Sequence, residues 1–267
     1  MYPRLFHIYG PVWIHTYGVM IAIGFLTFLL LTTRHPLRKK IIGTEEYLDV
    51  VVLGLISGVA GGRLLYVLTN LRQFSDNWLQ VFYPWVGGFT VIGAIFGVLA
   101  IVPFRLYRRN IPVLPILDLA TLYTPLMQAI ARLGCLGAGC CYGAPTHNTW
   151  WAITFTNPHG EAPLNMPLHP AQLYTSLASL LIFFILMGFS KNLLKYHGNM
   201  LCAYLALENT ARFITDFWRG DRDPLIASFF EGKLAISQVQ VFSLIGLIIT
   251  GTLLYIIHRK NNTQSAS

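Results

Sequence analysis

Charged residues are scarce in this chain of 267 residues. Only 11% of the residues are Asp, Glu, Lys or Arg, whereas 54% are hydrophobic and the mean hydropathy is +0.55. A soluble domain usually carries about 25% charged residues. The shortage therefore excludes an ordinary globular enzyme and indicates an all-α, polytopic membrane protein.

Apolar windows of about 20 residues, the length that crosses a ~30 Å hydrocarbon core, predict seven transmembrane helices. They fall near 14–33, 48–68, 85–103, 112–134, 171–189, 200–217 and 238–257. No small-residue cleavage site follows the first window, so we expect a retained helix and not a signal peptide. Without internal repeats, the chain is predicted to form one domain over 1–260 and a polar cytoplasmic tail over 261–267.

Lys and Arg are absent from the longest connection, roughly 135–170. If the seven windows all cross, one side of the membrane receives eleven basic residues: Arg34, Arg38, Lys39, Lys40, Arg105, Arg108, Arg109, Lys191, Lys195, Arg259 and Lys260. The other side receives five: Arg4, Arg72, Arg219, Arg222 and Lys233. The positive-inside rule then predicts an outside, periplasmic N-terminus and a cytoplasmic C-terminus. The net charge of +8 is thus a topology signal, and its short clusters at span ends do not indicate nucleic-acid binding.

Three arginines, Arg63, Arg132 and Arg212, lie inside or at the edge of these apolar windows. A charge at the bilayer centre costs roughly 3 kcal/mol on insertion scales, so such a residue usually faces the bundle interior and has a partner. One interpretation is that the arginines bind an anionic ligand. The other is that each pairs with a structural carboxylate, for which the candidates are Asp118, Glu208 and Asp216.

Glu208, Arg212 and Asp216 are spaced four residues apart, which on a continuous helix places both carboxylates beside Arg212. An arginine held in this way presents a rigid, planar fork that can bind phosphate through two hydrogen bonds.

The segment Arg132 to Gly143, RLGCLGAGCCYG, combines four glycines with three cysteines. Its glycines predict a tight loop whose amides can approach an anion. The C-x4-C-C spacing lacks the second cysteine or histidine pair of most zinc sites, so we expect no metal and no cofactor. For Cys135 and Cys140, a disulfide and a role as plain buried residues both remain open. Cys202 is expected to be buried.

His169 precedes a proline at the start of the fifth window. Proline is tolerated in the first helical turn because its missing amide would have no partner there. The imidazole can serve as an interfacial anchor, as a hydrogen-bond donor to a headgroup phosphate, or as a general base.

Six motifs in order carry a family resemblance: PVWIHTYG at 11–18, GGRLLY at 61–66, GGF at 87–89, RLG at 132–134, HPAQLY at 169–174 and RFITDFWR at 212–219. The chain resembles the phosphatidylglycerol:prolipoprotein diacylglyceryl transferase family nearly from end to end. Seven helices with an outside N-terminus are also that family's arrangement.

The resemblance implies transfer of a diacylglyceryl group from phosphatidylglycerol to the lipobox cysteine in a prolipoprotein signal peptide, in the bacterial inner membrane. It implies catalytic roles for Arg132, Arg212 and His169. The residues that it places in substrate binding are Arg63, Tyr17, Tyr174, Gly143, Cys135, Cys140 and Gln172.

The chain departs from the family pattern at polar positions. Ile92 stands where the family has a histidine, Cys135 and Cys140 stand where it has asparagine and glutamate, and Asp216 replaces a glutamate. The alternative to an active transferase is therefore a non-catalytic, lipid-binding or envelope-assembly relative.

Overall fold

The computed structural model describes residues 2–9, 12–74, 77–82, 88–147, 150–222, 224–226 and 236–265. Within these ranges the helices are α1 (Thr16–Arg34), α2 (Pro36–Ile41), α3 (Thr44–Thr69), α4 (Val91–Arg108), α5 (Val113–Ala138), α6 (Ala171–Leu193), α7 (Asn199–Thr215) and α8 (Gln238–Ser265). Three short antiparallel hairpins pair β1 (Arg4–Tyr9) with β2 (Val12–His15), β3 (Ile153–Thr154) with β4 (Pro167–Leu168), and β5 (Pro224–Ile226) with β6 (Ile236–Ser237).

Six of these helices, α1, α3, α4, α5, α6 and α8, are long and apolar enough to cross a membrane. This confirms the prediction of a helical, multi-pass membrane protein. The sixth predicted window corresponds to α7, which has only 17 residues and contains Glu208 and Arg212.

The chain forms two compact units. One comprises residues 33–116, with α2, α3 and α4. The other comprises residues 1–32 and 117–267, with most of α1 and α5, and with α6, α7 and α8. The expectation of a single domain over 1–260 stays a prediction.

In the unit of residues 33–116, glycines let α3 and α4 pack with their backbones in contact. A Cβ added at Gly61 would lie 2.5 Å from the carbonyl oxygen of Gly93 and 3.0 Å from the Cα of Gly97. Small residues at such an interface allow the close van der Waals packing that drives helix association in lipid.

In the other unit, Asp118 on α5 caps the N-terminus of α7. Its carboxylate accepts hydrogen bonds from the amides of Gly198 (2.6 Å) and Leu201 (2.9 Å). These amides have no partner within their own helix, and a negative charge is favoured at this end of the helix dipole. Among the partners described, Asp118 therefore serves a helix end and not an arginine.

The prediction of a loop over Arg132 to Gly143 is wrong for its first half, because α5 continues to Ala138. Glycine costs a helix about 1 kcal/mol relative to alanine. Here Gly134 packs against Met20 and Tyr17 of α1, and Gly137 packs against Thr16, where a Cβ would collide. The close approach of α1 offsets the low helix propensity. A tight turn follows at Gly139, where φ is +76°.

Candidate functional site

Polar side chains from three neighbouring helices line one cleft in the unit that contains α5, α6 and α7. The cleft has an empty volume of about 270 Å³. Its polar lining residues come mainly in pairs spaced four apart: Gln128 and Arg132 on α5, Thr175 and Ser179 on α6, Glu208 and Arg212 on α7, with Thr215 one turn from Arg212. Each pair lies on one helix face, so the three faces together form a polar surface within otherwise apolar helices.

Positive charge exceeds negative charge in this cleft. Arg212 Nε lies 3.6 Å from Glu208 Oε1, which also accepts a hydrogen bond from Gln128 Nε2 at 3.5 Å. Glu208 is attracted to Arg132 as well, and the guanidinium groups of Arg132 and Arg212 repel each other. Two cations thus share one carboxylate, and the positive charge left over favours an anion in the cleft.

The expectation that Asp216 would flank Arg212 is wrong. The α-helix ends at Thr215, and the chain continues as a 3-10 turn over Asp216–Trp218. Asp216 is 2% exposed and its Oδ2 lies 3.2 Å from Arg222 Nε. The Ser237 hydroxyl also donates to it at 2.5 Å. Asp216 keeps helical dihedral angles and its amide still donates to the carbonyl of Arg212, but its carboxylate is held by Arg222 and Ser237 and not by Arg212.

The turn that follows α5 is fastened to the segment that follows α7. The amide of Ala144 donates to the carbonyl of Trp218 at 2.9 Å, and the amide of Gly220 donates to the carbonyl of Tyr142 at 3.0 Å. Gly143 lies between these bonds, opposite Arg219, and a Cβ there would overlap the carbonyl of His169.

Arg219 lies at the same place and is paired within its own loop. Its Nε and Nη2 donate to the two carboxylate oxygens of Asp221 at 2.8 and 2.5 Å. These hydrogen bonds raise the pKa of Arg219. Arg219 is therefore a fixed cation whose charge Asp221 largely balances.

His169 and Tyr174, both predicted site residues, contact each other at the start of α6. His169 Nδ1 lies 3.2 Å from the Tyr174 hydroxyl, and the Tyr174 ring packs edge-on against Trp218 with 5.8 Å between centroids. Gln172, 1% exposed, donates from Nε2 to the carbonyl of Cys140 at 2.9 Å. These three residues lie beside the turn that follows α5. They are not among the described residues that line the cleft with Arg132 and Arg212.

Three cysteine sulfurs converge at the end of α5. The Sγ atoms of Cys135, Cys140 and Cys141 all lie within 4.8 Å of one another, and all three are free thiols. Hydrogen bonds with Cys135 and Cys140 lower the pKa of the Cys141 thiol, and the neighbouring Arg219 and Arg132 act in the same direction. Hydrogen bonds with the other two thiols raise the pKa of Cys140. Cys202 is buried elsewhere, on α7, as expected.

Tyr17 on α1 belongs to the same neighbourhood. It interacts electrostatically with the three thiols and with Arg132, and its Cα packs against Gly134. The structure therefore brings predicted residues from α1, α5 and the turn together at one end of the helices.

Arg63, in the unit of residues 33–116, binds backbone carbonyls. Its Nε donates to Val81 at 3.0 Å, its Nη2 to Gln80 at 2.7 Å and its Nη1 to Gly88 at 2.9 Å. Its guanidinium also lies 5.8 Å from the centre of the Tyr66 ring. Arg63 thus ties the segment before α4 to α3.

The GGF turn lies partly outside the described residues, because Gly87 is not among them. Gly88 adopts a φ of +89°, and Thr90 hydrogen-bonds back to Gly62 before α4 begins at Val91. Ile92 is 55% exposed in the first turn of α4.

The sequence interpretation missed Gln128 and Ser179 as lining residues of the cleft. Gln128 stands four residues before Arg132, and Ser179 stands four residues after Thr175. That spacing of polar residues in apolar helices, the same as for Glu208 and Arg212, is the signal that would have identified them.

Comparison with known proteins identifies the family. The sequence profile of the prolipoprotein diacylglyceryl transferase family matches residues 3–257. The phosphatidylglycerol--prolipoprotein diacylglyceryl transferase of Clostridium tetani is 32% identical over 259 residues, which cover 97% of this chain and 98% of that protein. The enzyme of the same name from Thermotoga maritima is 31% identical over 242 residues, with 89% of this chain and 80% of the relative covered. The chain belongs to the prolipoprotein diacylglyceryl transferase family.

Proposed function

We propose that this chain transfers the diacylglyceryl group of phosphatidylglycerol to a cysteine thiol of a prolipoprotein, forming a thioether. The observation that supports this function best is the cleft in which Arg132 and Arg212 share the single carboxylate of Glu208. Its uncompensated positive charge suits the phosphate of an anionic phospholipid.

The chemistry requires that charge. The acceptor thiol gives its proton to water or to a base such as His169, its sulfur attacks the glycerol carbon that carries the diacyl chains, a carbon–sulfur bond forms, and the carbon–oxygen bond to phosphate breaks. The electron pair of the broken bond leaves with glycerol phosphate, so negative charge grows on the phosphate in the transition state. Fixed guanidinium groups in a site of low dielectric stabilise that charge without reorganising, and we assign this catalytic role to Arg132 and Arg212.

The other assigned residues bind and position the substrates. His169 and Tyr174 form a hydrogen-bonded pair beside the turn, where His169 is placed to hydrogen-bond the headgroup or accept a proton. Tyr17, Gln172 and Gly143 shape the same end of the helices.

Arg63 has a supporting role in this proposal, because its guanidinium donates to three carbonyls of the segment before α4. Cys135 and Cys140 are assigned to the acceptor side of the site.

We further propose that seven helices span the bacterial inner membrane, with the N-terminus periplasmic and the C-terminus cytoplasmic. The turn after α5 is hydrogen-bonded to the segment after α7. These two ends therefore lie on one side, and if α6 crosses the membrane, α7 must cross back. At 1.5 Å per residue, α7 is about 25 Å long, and the 3-10 turn that follows adds length toward the ~30 Å of the hydrocarbon core.

Complementation tests the proposed function. This chain is expressed in a bacterium depleted of its own diacylglyceryl transferase, and a reporter prolipoprotein is followed by gel mobility and mass spectrometry. We expect restored growth and a reporter that carries the thioether-linked lipid.

Arg132→Ala and Arg212→Ala should insert into the membrane normally but leave the reporter unmodified. A wild-type chain that inserts and accumulates but leaves the reporter unmodified would contradict the proposal and favour the non-catalytic relative. Wild-type conversion by both alanine variants would remove the arginines from the mechanism.

A further inference from the structure

The fold brings together three thiols that the sequence spacing does not pair. We call Cys135, Cys140 and Cys141 the thiol cluster. The carbonyl of Cys135 accepts hydrogen bonds from the amides of Gly139 (2.9 Å) and Cys140 (3.2 Å), which close the end of α5. Cys141 then adopts a φ of +54°. This reversal of the chain folds Cys140 and Cys141 back toward Cys135 on the last turns of the helix.

The spacing of the sulfurs suits one small, thiophilic cation. Zinc binds thiolate sulfur at about 2.3 Å, so sulfurs that share a tetrahedral zinc ion lie ~3.8 Å apart. The three Sγ atoms here lie within 4.8 Å of one another. A contraction of about 1 Å in these separations would bring all three sulfurs into one coordination sphere.

Three protein ligands leave a tetrahedral ion with one position unfilled, which is the arrangement of catalytic zinc sites and not of closed structural ones. Cys135 is 5% exposed, but Cys140 and Cys141 are only partly buried. The cluster is therefore closed on the side of Cys135 and accessible to a fourth ligand on the side of the turn.

The surrounding charges favour this complex. Three thiolates around a divalent ion carry one net negative charge, and a fourth thiolate would add another. Arg132, Arg212 and Arg219 all interact electrostatically with Cys141. The arginines assigned to the donor phosphate therefore also act electrostatically on the thiol cluster, so an acceptor bound there would share their positive field with the leaving group.

We propose that the thiol cluster binds a zinc ion through Cys135, Cys140 and Cys141, and that the open fourth position takes the thiol of the acceptor cysteine. This inference rests on the proposed transferase function. On binding, the acceptor thiol loses its proton to water; its sulfur then forms the bond to the glycerol carbon while the carbon–oxygen bond breaks and glycerol phosphate leaves. A metal-bound thiolate needs no side-chain base to form it. It therefore supplies the nucleophile in a chain that carries Ile92 where its family has histidine.

Metal content tests the site independently of activity. The full-length chain, purified in detergent under reducing conditions after growth with zinc, should contain about one zinc per molecule. The triple variant C135S/C140S/C141S should contain none, and C141S alone should bind zinc far more weakly. C202S, which changes the buried cysteine outside the cluster, is the matched control and should keep the metal.

Cobalt(II) provides a second readout. When it replaces zinc in the wild-type chain, thiolate-to-cobalt charge-transfer absorption should appear, and it should be absent from the triple variant. If both the single and the triple variants bind metal as the wild type does, or if the wild-type sulfurs are found in a disulfide with no metal bound, the zinc site is overturned.

Turnover of phosphatidylglycerol with a lipobox peptide tests the transferase function separately from zinc binding. Removal of zinc with a chelator should abolish turnover, and added zinc should restore it. A metal-free wild-type chain with full turnover would overturn the acceptor role of the zinc site and leave the transferase function standing. A chain that binds zinc at the cluster but never converts the peptide would keep the site and overturn the function together with the acceptor role.

Discussion

At the scale of single residues, the function depends on guanidinium groups and not on positive charge alone. We predict that Arg132→Lys and Arg212→Lys each lower kcat/KM by about 10- to 100-fold, and that alanine lowers it by about 100- to 1,000-fold. Lysine keeps the charge but lacks the planar fork that holds two phosphate oxygens at once. Turnover in detergent with phosphatidylglycerol and a lipobox peptide measures the effect.

Arg109→Lys is the matched control for this series. Arg109 follows the end of α4, its side chain is 51% exposed, and it lies 3.9 Å from Glu46. Exposed pairs of this kind contribute little, so its turnover should equal that of the wild type. Equal turnover of the wild type and of both lysine variants in the cleft would show that the phosphate needs only a point charge.

The residues of the site were predictable from the sequence where local spacing determines contact. Glu208 and Arg212 meet because they are one turn apart on a helix that continues through both. Asp216 was assigned to the same row, and its backbone is still helical there, but its carboxylate pairs with Arg222. The partner of Asp216 comes from a later segment, and no local pattern reports such a distant contact.

At the scale of elements, the turn after α5 depends on Gly143. A Cβ there would overlap the backbone carbonyl of His169, and a backbone atom cannot rotate away as a side chain can. We predict that Gly143→Ala destabilises the protein by about 1–3 kcal/mol and lowers turnover, because it pushes His169 away from the turn. Thermal unfolding in detergent and initial rates measure the two effects.

Gly188→Ala on α6 is the matched control, because nothing lies within 4 Å of its added Cβ. There alanine should be neutral, or should stabilise the helix by up to about 1 kcal/mol. If Gly143→Ala and Gly188→Ala behave alike, the turn is not packed as tightly as the structure shows.

The helices were predictable as apolar windows, but some of their ends were not. The loop expected from Arg132 onward is helical as far as Ala138, because α1 covers Gly134 and Gly137 closely enough to offset their low propensity. The N-terminus of α7 is likewise capped by Asp118 from another helix. Both ends are decided by tertiary packing, which composition and periodicity do not report.

At the scale of the whole molecule, the membrane topology depends on whether α7 crosses the membrane. Six helices are long and apolar enough to cross. The helix α7 has 17 residues, carries Glu208 and Arg212, and ends where the 3-10 turn begins. If α7 crosses, the segment around Arg222 lies outside and the C-terminus lies in the cytoplasm. If α7 does not cross, the segment around Arg222 lies in the cytoplasm. The C-terminus then lies outside, on the same side as the long connection between α5 and α6.

Alkaline phosphatase, which is active only outside the cytoplasm, distinguishes these arrangements when inserted at single sites in the full-length chain. We predict activity for insertions after Asn157 and Arg222, and none for insertions after Lys195 and Ser267. The inward positions carry the basic clusters, which resist translocation. The hydrogen bonds from Ala144 to Trp218 and from Gly220 to Tyr142 require the two outer segments to share a side. An active enzyme at Ser267 with an inactive one at Arg222 would mean six spans. It would also place the turn after α5 and the segment after α7 on opposite sides of the membrane. That arrangement is incompatible with the hydrogen bonds between them, on which the proposed site depends.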